Sequence, residues 1–127
     1  MKTSPRSQEP GRILVIRGGA LGDLILTLPV LAALRHQFPA VQLELLAYPQ
    51  FAVLALQGRL ADRIHPIESR ALAGFFARNG LLDAGLSDFF DRYHVIFSYL
   101  YDPDEIFRNN LARVTRAQVI QGPHRPN

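Results

Sequence analysis

The most constraining feature of the chain is a short apolar run followed at once by a glycine-rich turn. The run Ile13-Leu14-Val15-Ile16 is typical of a buried strand. The turn Arg17-Gly18-Gly19-Ala20-Leu21-Gly22 follows it, and Asp23 opens a long helical pattern. A strand, a tight turn and a helix in this order predict the first unit of a doubly wound α/β fold. Such folds bind ligands at the carboxyl ends of their strands, so we expect a site at this turn.

Alternation of strand and helix continues along the rest of the chain. Further strands are predicted at Val41–Ala47, Arg63–Ile67, Val95–Tyr99 and Ala117–Gln121. Helices are predicted from Asp23 to Gln37, over Phe51–Gln57, near Ala71–Arg78, near Leu86–Tyr93 and from Asp102 to about Val114. Pro29 predicts a kink or a late start in the first helix, and Pro66 predicts an edge position for the third strand. The pattern indicates an α/β domain, a Rossmann-like parallel sheet with flanking helices.

Composition excludes several classes of protein. The 127 residues are 48% hydrophobic, which is typical of a globular domain rather than a disordered one. The chain has no cysteine, which excludes disulfides and thiolate metal sites. Its net charge is +3, but the arginines are scattered, so nucleic acid is not an expected partner. The histidines show no metal-ligand spacing, and no metal site is expected.

The sequence also predicts how the two ends of the chain are organised. Residues 1–11 are interpreted as a disordered leader, because charged residues interrupt the apolar run that a signal peptide needs. The apolar stretch Leu24–Leu34 contains Pro29 and falls short of the ~20 residues of a membrane span. The last predicted strand has no helix after it, which predicts a truncated domain or half of a two-domain protein. We expect one domain over residues 12–127.

A dinucleotide-binding domain is the first functional alternative. The pattern G-x-G-x-x-G aligns with residues 17–22, but Arg17 replaces the first glycine, which the tight turn needs. Glu44 lies near the spacing of the acid that binds the ribose, but it is predicted in mid-strand rather than at a strand end. A carboxylate at Asp23 would repel a pyrophosphate at this helix N-terminus, which favours proton abstraction over phosphate binding.

A longer block around the turn resembles a known family. The block consists of Gly19-Ala20-Leu21-Gly22-Asp23, Thr27-Leu28-Pro29, Leu34-Arg35 and Phe38-Pro39. It resembles the N-terminal signature of glycosyltransferase family 9, the ADP-heptose:lipopolysaccharide heptosyltransferases. The match is clearest over residues 12–48, and weaker similarity continues to Gly122-Pro123. The combination of Gly-Asp with Thr-Leu-Pro is more specific than a glycine turn alone.

The resemblance implies a GT-B fold, in which two Rossmann-like domains face a cleft. The N-terminal domain of such a protein binds the acceptor, and the C-terminal domain binds the nucleotide sugar. This chain would correspond to the acceptor domain, with the C-terminal donor domain absent. The implied reaction is inverting transfer of heptose from ADP-heptose, or of another sugar, to a lipopolysaccharide core acceptor of the Kdo–lipid A type. It needs no metal or cofactor.

The same resemblance implies where the protein works. We expect it in the cytoplasm, at the inner face of the cytoplasmic membrane, with peripheral membrane contact. Since the donor would be bound by the other domain, the isolated chain is expected to be inactive. A non-catalytic remnant or interaction module is a further alternative. It predicts that Asp23→Asn changes nothing and that the chain oligomerises through exposed apolar surface.

The candidate site residues all lie in the first turn. The resemblance implies that Asp23 is the general base for the acceptor hydroxyl, while the local sequence alone favours a helix N-cap at this residue. Arg17 is expected either to contact an acidic acceptor such as the carboxylates of Kdo sugars, or to be an exposed strand-end residue. Gly18, Gly19 and Gly22 are expected to let substrate approach the backbone, or only to supply unusual backbone angles.

A second polar segment follows the fourth predicted strand. Asp102-Pro103-Asp104-Glu105 predicts a capped helix start, with Asp102 as the N-cap, Pro103 as the first helical residue and Glu105 three residues after the cap. The segment lies at the carboxyl end of a strand, and we therefore expect it near the same cleft.

Overall fold

A computed structural model describes residues 11–18, 21–48, 60–67 and 69–122, without the side chains of residues 21–24, 26 and 69. Two predicted segments lie outside them, namely the leader over residues 1–11, apart from Gly11, and the helix over Phe51–Gln57.

Five strands of the described chain form one parallel sheet. They are β1 (Arg12–Ile16), β2 (Gln42–Ala47), β3 (Arg63–Pro66), β4 (Val95–Ser98) and β5 (Gln118–Gln121). Their order across the sheet is β3-β2-β1-β4-β5, and each neighbouring pair is parallel. The predicted Rossmann-like sheet is confirmed. The strand that contains Pro66 lies at an edge, where the missing backbone donor is tolerated.

Helices connect these strands. They are α1 (Leu21–Gln37), α2 (Ser69–Leu72) with a 3₁₀ turn directly after it (Ala73–Phe76), α3 (Ala84–Phe90) and α4 (Ile106–Val114). Pro29 lies inside α1, yet the helix begins at Leu21. The late start predicted from this proline is therefore wrong. The helix begins directly after the turn that leaves β1.

The core has two layers because successive side chains of a strand point to opposite faces of the sheet. On one face, Val15 and Leu45 pack with Leu31 of α1. On the other face, Leu14 packs in a layer with aromatic side chains of the remaining segments, namely Phe75, Phe90, Tyr93 and Phe107. The central strand is thus buried on both faces, which explains why its sequence is a continuous apolar run rather than an alternating one.

One carboxylate lies inside the second core layer. Glu44 of β2 is 5% exposed. Its Oε1 atom accepts a hydrogen bond from the Tyr93 hydroxyl at 2.6 Å and lies 2.6 Å from Nε2 of His65. Burial alone would raise the pKa of the Glu44 carboxyl. The hydrogen bonds with Tyr93 and His65 and the charge of His65 outweigh burial and hold the pKa below its ordinary value.

We expect Glu44→Gln to destabilise the fold by about 1–3 kcal/mol at neutral pH, because it removes the charged acceptor of a buried hydrogen-bond cluster. The folded-state pKa of Glu44 lies below the ordinary value of 4.5. Its contribution is therefore fully present above the unfolded pKa and is lost as pH falls through the folded pKa. Urea unfolding of both proteins from about pH 7 to about pH 3 measures the difference.

The exposed Asp88 supplies a matched control for this measurement. Asp88→Asn removes the same charge outside the core and should change the free energy of unfolding by no more than about 0.5 kcal/mol. If Glu44→Gln and the unmodified chain lose stability in parallel over the whole pH range, the ionised Glu44 does not stabilise the core.

Candidate functional site

The strand order reverses at β1, and we therefore expect a crevice between the carboxyl ends of β1 and β4. From β1 the chain passes through α1 to β2 on one side, whereas β4 lies on the other side of β1. Doubly wound folds bind their ligands where the strand order reverses in this way. We call the region bordered by Arg17–Gly18 and by Tyr99–Asp102 the strand-end crevice. Its two borders are joined by the backbone, since the Tyr99 amide donates to the Ile16 carbonyl at 3.0 Å.

Arg17 is buried at this crevice, with only 4% of its surface exposed. Its amide donates to the carbonyl of Leu46 at 2.9 Å, so the residue continues the pairing between β1 and β2. The guanidinium lies over the Tyr99 ring, 5.4 Å from the ring centroid. The expectation that Arg17 is an exposed strand-end residue is therefore wrong. The structure holds a permanent positive charge at the point where the strand order reverses.

Tyr99 supports this cation from the β4 side. Burial raises the pKa of the Tyr99 phenol, and the charge of Arg17 offsets only part of that effect. The phenol therefore remains neutral near pH 7. The Tyr99 ring also packs closely against Gly122, where an added Cβ would come within 2.3 Å of the ring. Sequence analysis missed both residues, because the Arg17–Tyr99–Gly122 arrangement joins three strand ends that are far apart in the chain.

Gly18 lies where the two borders of the crevice approach each other. A Cβ at this position would lie 3.2 Å from Cδ2 of Leu100. The backbone of Gly18 does not adopt the left-handed conformation that would require glycine. The expectation of an unusual backbone angle is therefore wrong for Gly18. The absence of a side chain instead allows close approach of the loop after β4.

Asp23 is the third residue of α1, which begins at Leu21, and Gly22 is the second. The interpretation of Asp23 as the N-cap is therefore wrong, because an N-cap precedes the first helical residue. The backbone of Asp23 belongs to the first turn, where amides lack partners within the helix and the helix dipole favours negative charge. The side chain of Asp23 and the whole of Gly19 lie outside what the structure describes. The role of Asp23 as a base stays a prediction.

Asp102 caps α4 in a way that differs from the prediction. Its Oδ1 and Oδ2 atoms accept hydrogen bonds from the amides of Phe107 and Arg108, both at 2.9 Å. The helix begins only at Ile106, because the segment from Asp102 to Glu105 forms a turn closed by a 3.1 Å bond from the Glu105 amide to the Asp102 carbonyl. Glu105 adopts a left-handed φ of 58° and makes no side-chain cap bond, so the predicted capping box is wrong.

The rim of the crevice carries an aromatic side chain that sequence analysis did not single out. Tyr101 is 64% exposed. The loop that carries it is anchored by Gln121 of β5, whose side-chain amide donates to the Leu100 carbonyl at 2.8 Å. Both oxygens of Asp102 bind the backbone of α4. Asp102 therefore acts as a cap of α4 at the border of the crevice.

The described residues contain neither a metal-binding cluster nor a membrane-spanning helix. There, no group of three or more His, Asp or Glu side chains is placed to hold a metal ion. None of the helices in this part of the chain combines the length and the apolar character needed to cross a bilayer.

Solved structures of sugar transferases share this fold. A glycosyl transferase of family 9 from Veillonella parvula DSM 2008 aligns with a TM-score of 0.62 and 16% identity, over 87% of this chain and 32% of that one. The E. coli heptosyltransferase WaaC with ADP aligns with a TM-score of 0.53 and 17% identity, over 87% and 34%. The same enzyme with ADP-2-deoxy-2-fluoro heptose gives 0.56 and 16%, over 87% and 36%.

These alignments confirm the fold that the sequence resemblance implied. The chain has a Rossmann-like fold of the kind found in GT-B glycosyltransferases. It spans about a third of the length of the structures it matches. No family model matches the chain, and no curated protein sequence matches it. At 16–17% identity the likeness shows the fold alone.

The close contact between Gly122 and Tyr99 gives a direct test of the crevice geometry. Gly122→Ala should destabilise the chain by about 1–3 kcal/mol, because the new methyl group would overlap the Tyr99 ring. Gly11→Ala is the control, because its new methyl group would meet only Cγ2 of Val41 at 3.4 Å, an ordinary contact distance. It should change the free energy of unfolding by no more than about 0.5 kcal/mol. Urea unfolding measures both variants, and equal stability of Gly122→Ala and the unmodified chain would contradict the packing described here.

Proposed function

We propose that this chain is the acceptor-binding domain of an inverting glycosyltransferase, with Asp23 as general base and Arg17 as the binding group for an acidic acceptor. The observation that carries the proposal is the buried Arg17 guanidinium, which lies over the Tyr99 ring at the reversal of strand order. The fold shared with family 9 glycosyltransferases supports the same reaction class.

Arg17 suits the recognition of an anionic sugar. Its guanidinium carries a permanent charge and donates in a planar fork that matches a carboxylate. Its position on the Tyr99 ring restricts the orientation of the fork. Charge–charge attraction is stronger where water is partly excluded, as it is around a residue with 4% exposure. We infer an acceptor of the lipopolysaccharide core, in which the carboxylates of Kdo sugars would bind here and the lipid would bring the domain to the inner face of the membrane.

Asp23 would perform the proton transfer. The acceptor hydroxyl oxygen would attack the anomeric carbon of the nucleotide sugar, the bond from that carbon to the diphosphate oxygen would break, and the carboxylate would take the hydroxyl proton. The helix dipole favours a negative charge in the first turn of a helix. Exclusion of water when substrate binds would strengthen Asp23 as a proton acceptor. Gly22 and Gly19 would leave room for the acceptor beside this turn.

The sugar donor would be bound by a second domain. WaaC is solved with ADP and with ADP-2-deoxy-2-fluoro heptose. We propose ADP-heptose or a related nucleotide sugar as the donor of this protein. A dinucleotide-binding function is disfavoured by the structure. Glu44, the only acid near the spacing of a ribose ligand, is hydrogen bonded within the core.

Acceptor binding can be tested on the isolated chain by amide NMR. A soluble Kdo-containing oligosaccharide should shift the amides of Arg17, Gly18 and Asp23, whereas NAD should not. Arg17→Gln should weaken acceptor binding about tenfold or more, because it removes a charge-assisted pair. Arg108→Gln, which removes an exposed arginine of α4, should leave binding unchanged. Shifts with NAD alone, or no shift with the oligosaccharide, would contradict the proposal.

The catalytic assignment requires a protein that carries both domains. In it, Asp23→Asn should lower kcat by about 10²–10⁴-fold while the acceptor Kd stays nearly constant, because only the proton acceptor is removed. Asp88→Asn is the control, since it removes the same charge from an exposed residue of α3 outside the strand-end crevice. The 127-residue chain alone should transfer no sugar. Full activity of Asp23→Asn, or turnover by the isolated chain, would refute this assignment.

A further inference from the structure

A second polar concavity lies outside the strand-end crevice. It is open to solvent, has a volume of about 290 Å³ and lies between the turn after the 3₁₀ helix and α4. We call it the polar depression. Its lining residues are Arg78, Asn79, Ile106, Asn109, Asn110 and Arg113. Two of these residues are cationic, three are carboxamides and none is acidic.

Asn110 is the buried residue at the base of the polar depression. The residue is 3% exposed, and its Nδ2 atom donates to the carbonyls of Phe75 and Ala77, both at 2.9 Å. Its Oδ1 atom accepts a 2.9 Å hydrogen bond from Nη1 of Arg113. Every polar atom of this buried carboxamide is thus engaged, and the amide fixes both walls of the depression relative to each other.

Arg113 is held by the same arrangement. Its Nη1 atom donates to the Gly80 carbonyl at 3.0 Å as well as to Asn110. Among the residues that the structure describes, no acceptor is bound by its Nε and Nη2 atoms. One side of the guanidinium is therefore fixed by the protein, while its other donors remain available. Such orientation lowers the entropy that an arginine loses when it binds a ligand.

Arg78 supplies the second charge. It is exposed and forms no ion pair with any described acidic residue. The turn that carries it is fixed by Asn79, whose backbone has a left-handed φ of 53°. It is also fixed by Gly80, where an added Cβ would lie 2.1 Å from the Gly74 carbonyl oxygen. The positive charge at this wall therefore sits on a closely packed turn rather than on an unrestrained loop.

We propose that the polar depression binds a phosphate group. Phosphate oxygens accept several hydrogen bonds at once, and guanidinium groups pair with them in bidentate geometry. The exposed carboxamide of Asn109 adds further donors on the same wall. A volume near 290 Å³ is at the lower end of small-molecule sites and exceeds what a lone phosphate needs, so the group would be a diphosphate or the headgroup of a larger molecule.

The test uses two probes on the intact chain at constant ionic strength. Sodium pyrophosphate is titrated while amide shifts of Asn79, Asn109 and Arg113 are followed. In parallel, cosedimentation is measured with phosphatidylglycerol vesicles and with phosphatidylcholine vesicles. Arg78→Gln should weaken binding about tenfold or more, because it removes an exposed charged donor that makes no described hydrogen bond or ion pair.

Arg108→Gln is the matched control. It makes the same change of charge on the exposed surface of α4, outside the polar depression, and should leave binding unchanged. Arg113→Lys keeps the charge but loses the guanidinium fork, so weaker binding by this variant would support bidentate recognition. Saturable pyrophosphate binding would assign the site to a small molecule, and binding only to phosphatidylglycerol vesicles would assign it to a lipid headgroup. No binding to either probe, or equal weakening by Arg78→Gln and Arg108→Gln, would overturn the proposal.

Discussion

The pairing of β1 with two neighbours is the constraint on which the rest of the fold depends. Leu14, Val15 and Ile16 have no exposed surface, and they lie between β2 and β4 with a core layer on each face. A strand buried in this way fixes the direction and register of both neighbours. It also fixes where the next residue lies, and Arg17 is therefore placed at the strand-end crevice by the same pairing that forms the core.

The two charged side chains buried in the described core, Glu44 and Arg17, are stabilised by different kinds of partner. Glu44 is surrounded by the core layer, where Tyr93 and His65 satisfy one carboxylate oxygen. Arg17 lies at the end of the sheet, where the neutral Tyr99 ring supports the cation without cancelling its charge. A buried charge has a high desolvation cost in either place. The cost is offset at Glu44 by hydrogen bonds and at Arg17 in part by the Tyr99 ring.

Sequence was a good guide wherever the controlling interactions are local. The β-branched run before Arg17 and the apolar run in β2 identify strands because burial on both faces demands them. Pro66 identified an edge for a local reason, the missing backbone donor. Asp102 was correctly predicted to cap a helix. The turn that delays the start of this helix to Ile106 was not predicted. That delay depends on the left-handed conformation of Glu105, which its side chain does not favour.

Distant contacts explain what sequence did not predict. The exposure of Arg17 was misjudged because its partner Tyr99 comes from another strand, and the need for glycine at position 122 arises only from that ring. Glu44 matched the spacing of a ribose ligand. Its carboxylate, however, accepts a hydrogen bond within the core from the hydroxyl of Tyr93, which lies 49 residues further along the chain. The spacing of two residues in the chain determines neither the face of the sheet on which each side chain lies nor the side chains that it contacts. A chemical role assigned from spacing alone is therefore the least secure part of such a prediction.

Helix α4 connects the two polar regions of the molecule. Asp102 holds its first turn at the strand-end crevice, while Asn110 and Arg113, one and two turns further on, form part of the polar depression. Phe107 and Leu111 of the same helix have no exposed surface, so the helix is anchored in the core between its two polar attachments. Core packing and side-chain hydrogen bonds of α4 therefore join the loop after β4 to the turn that lines the polar depression.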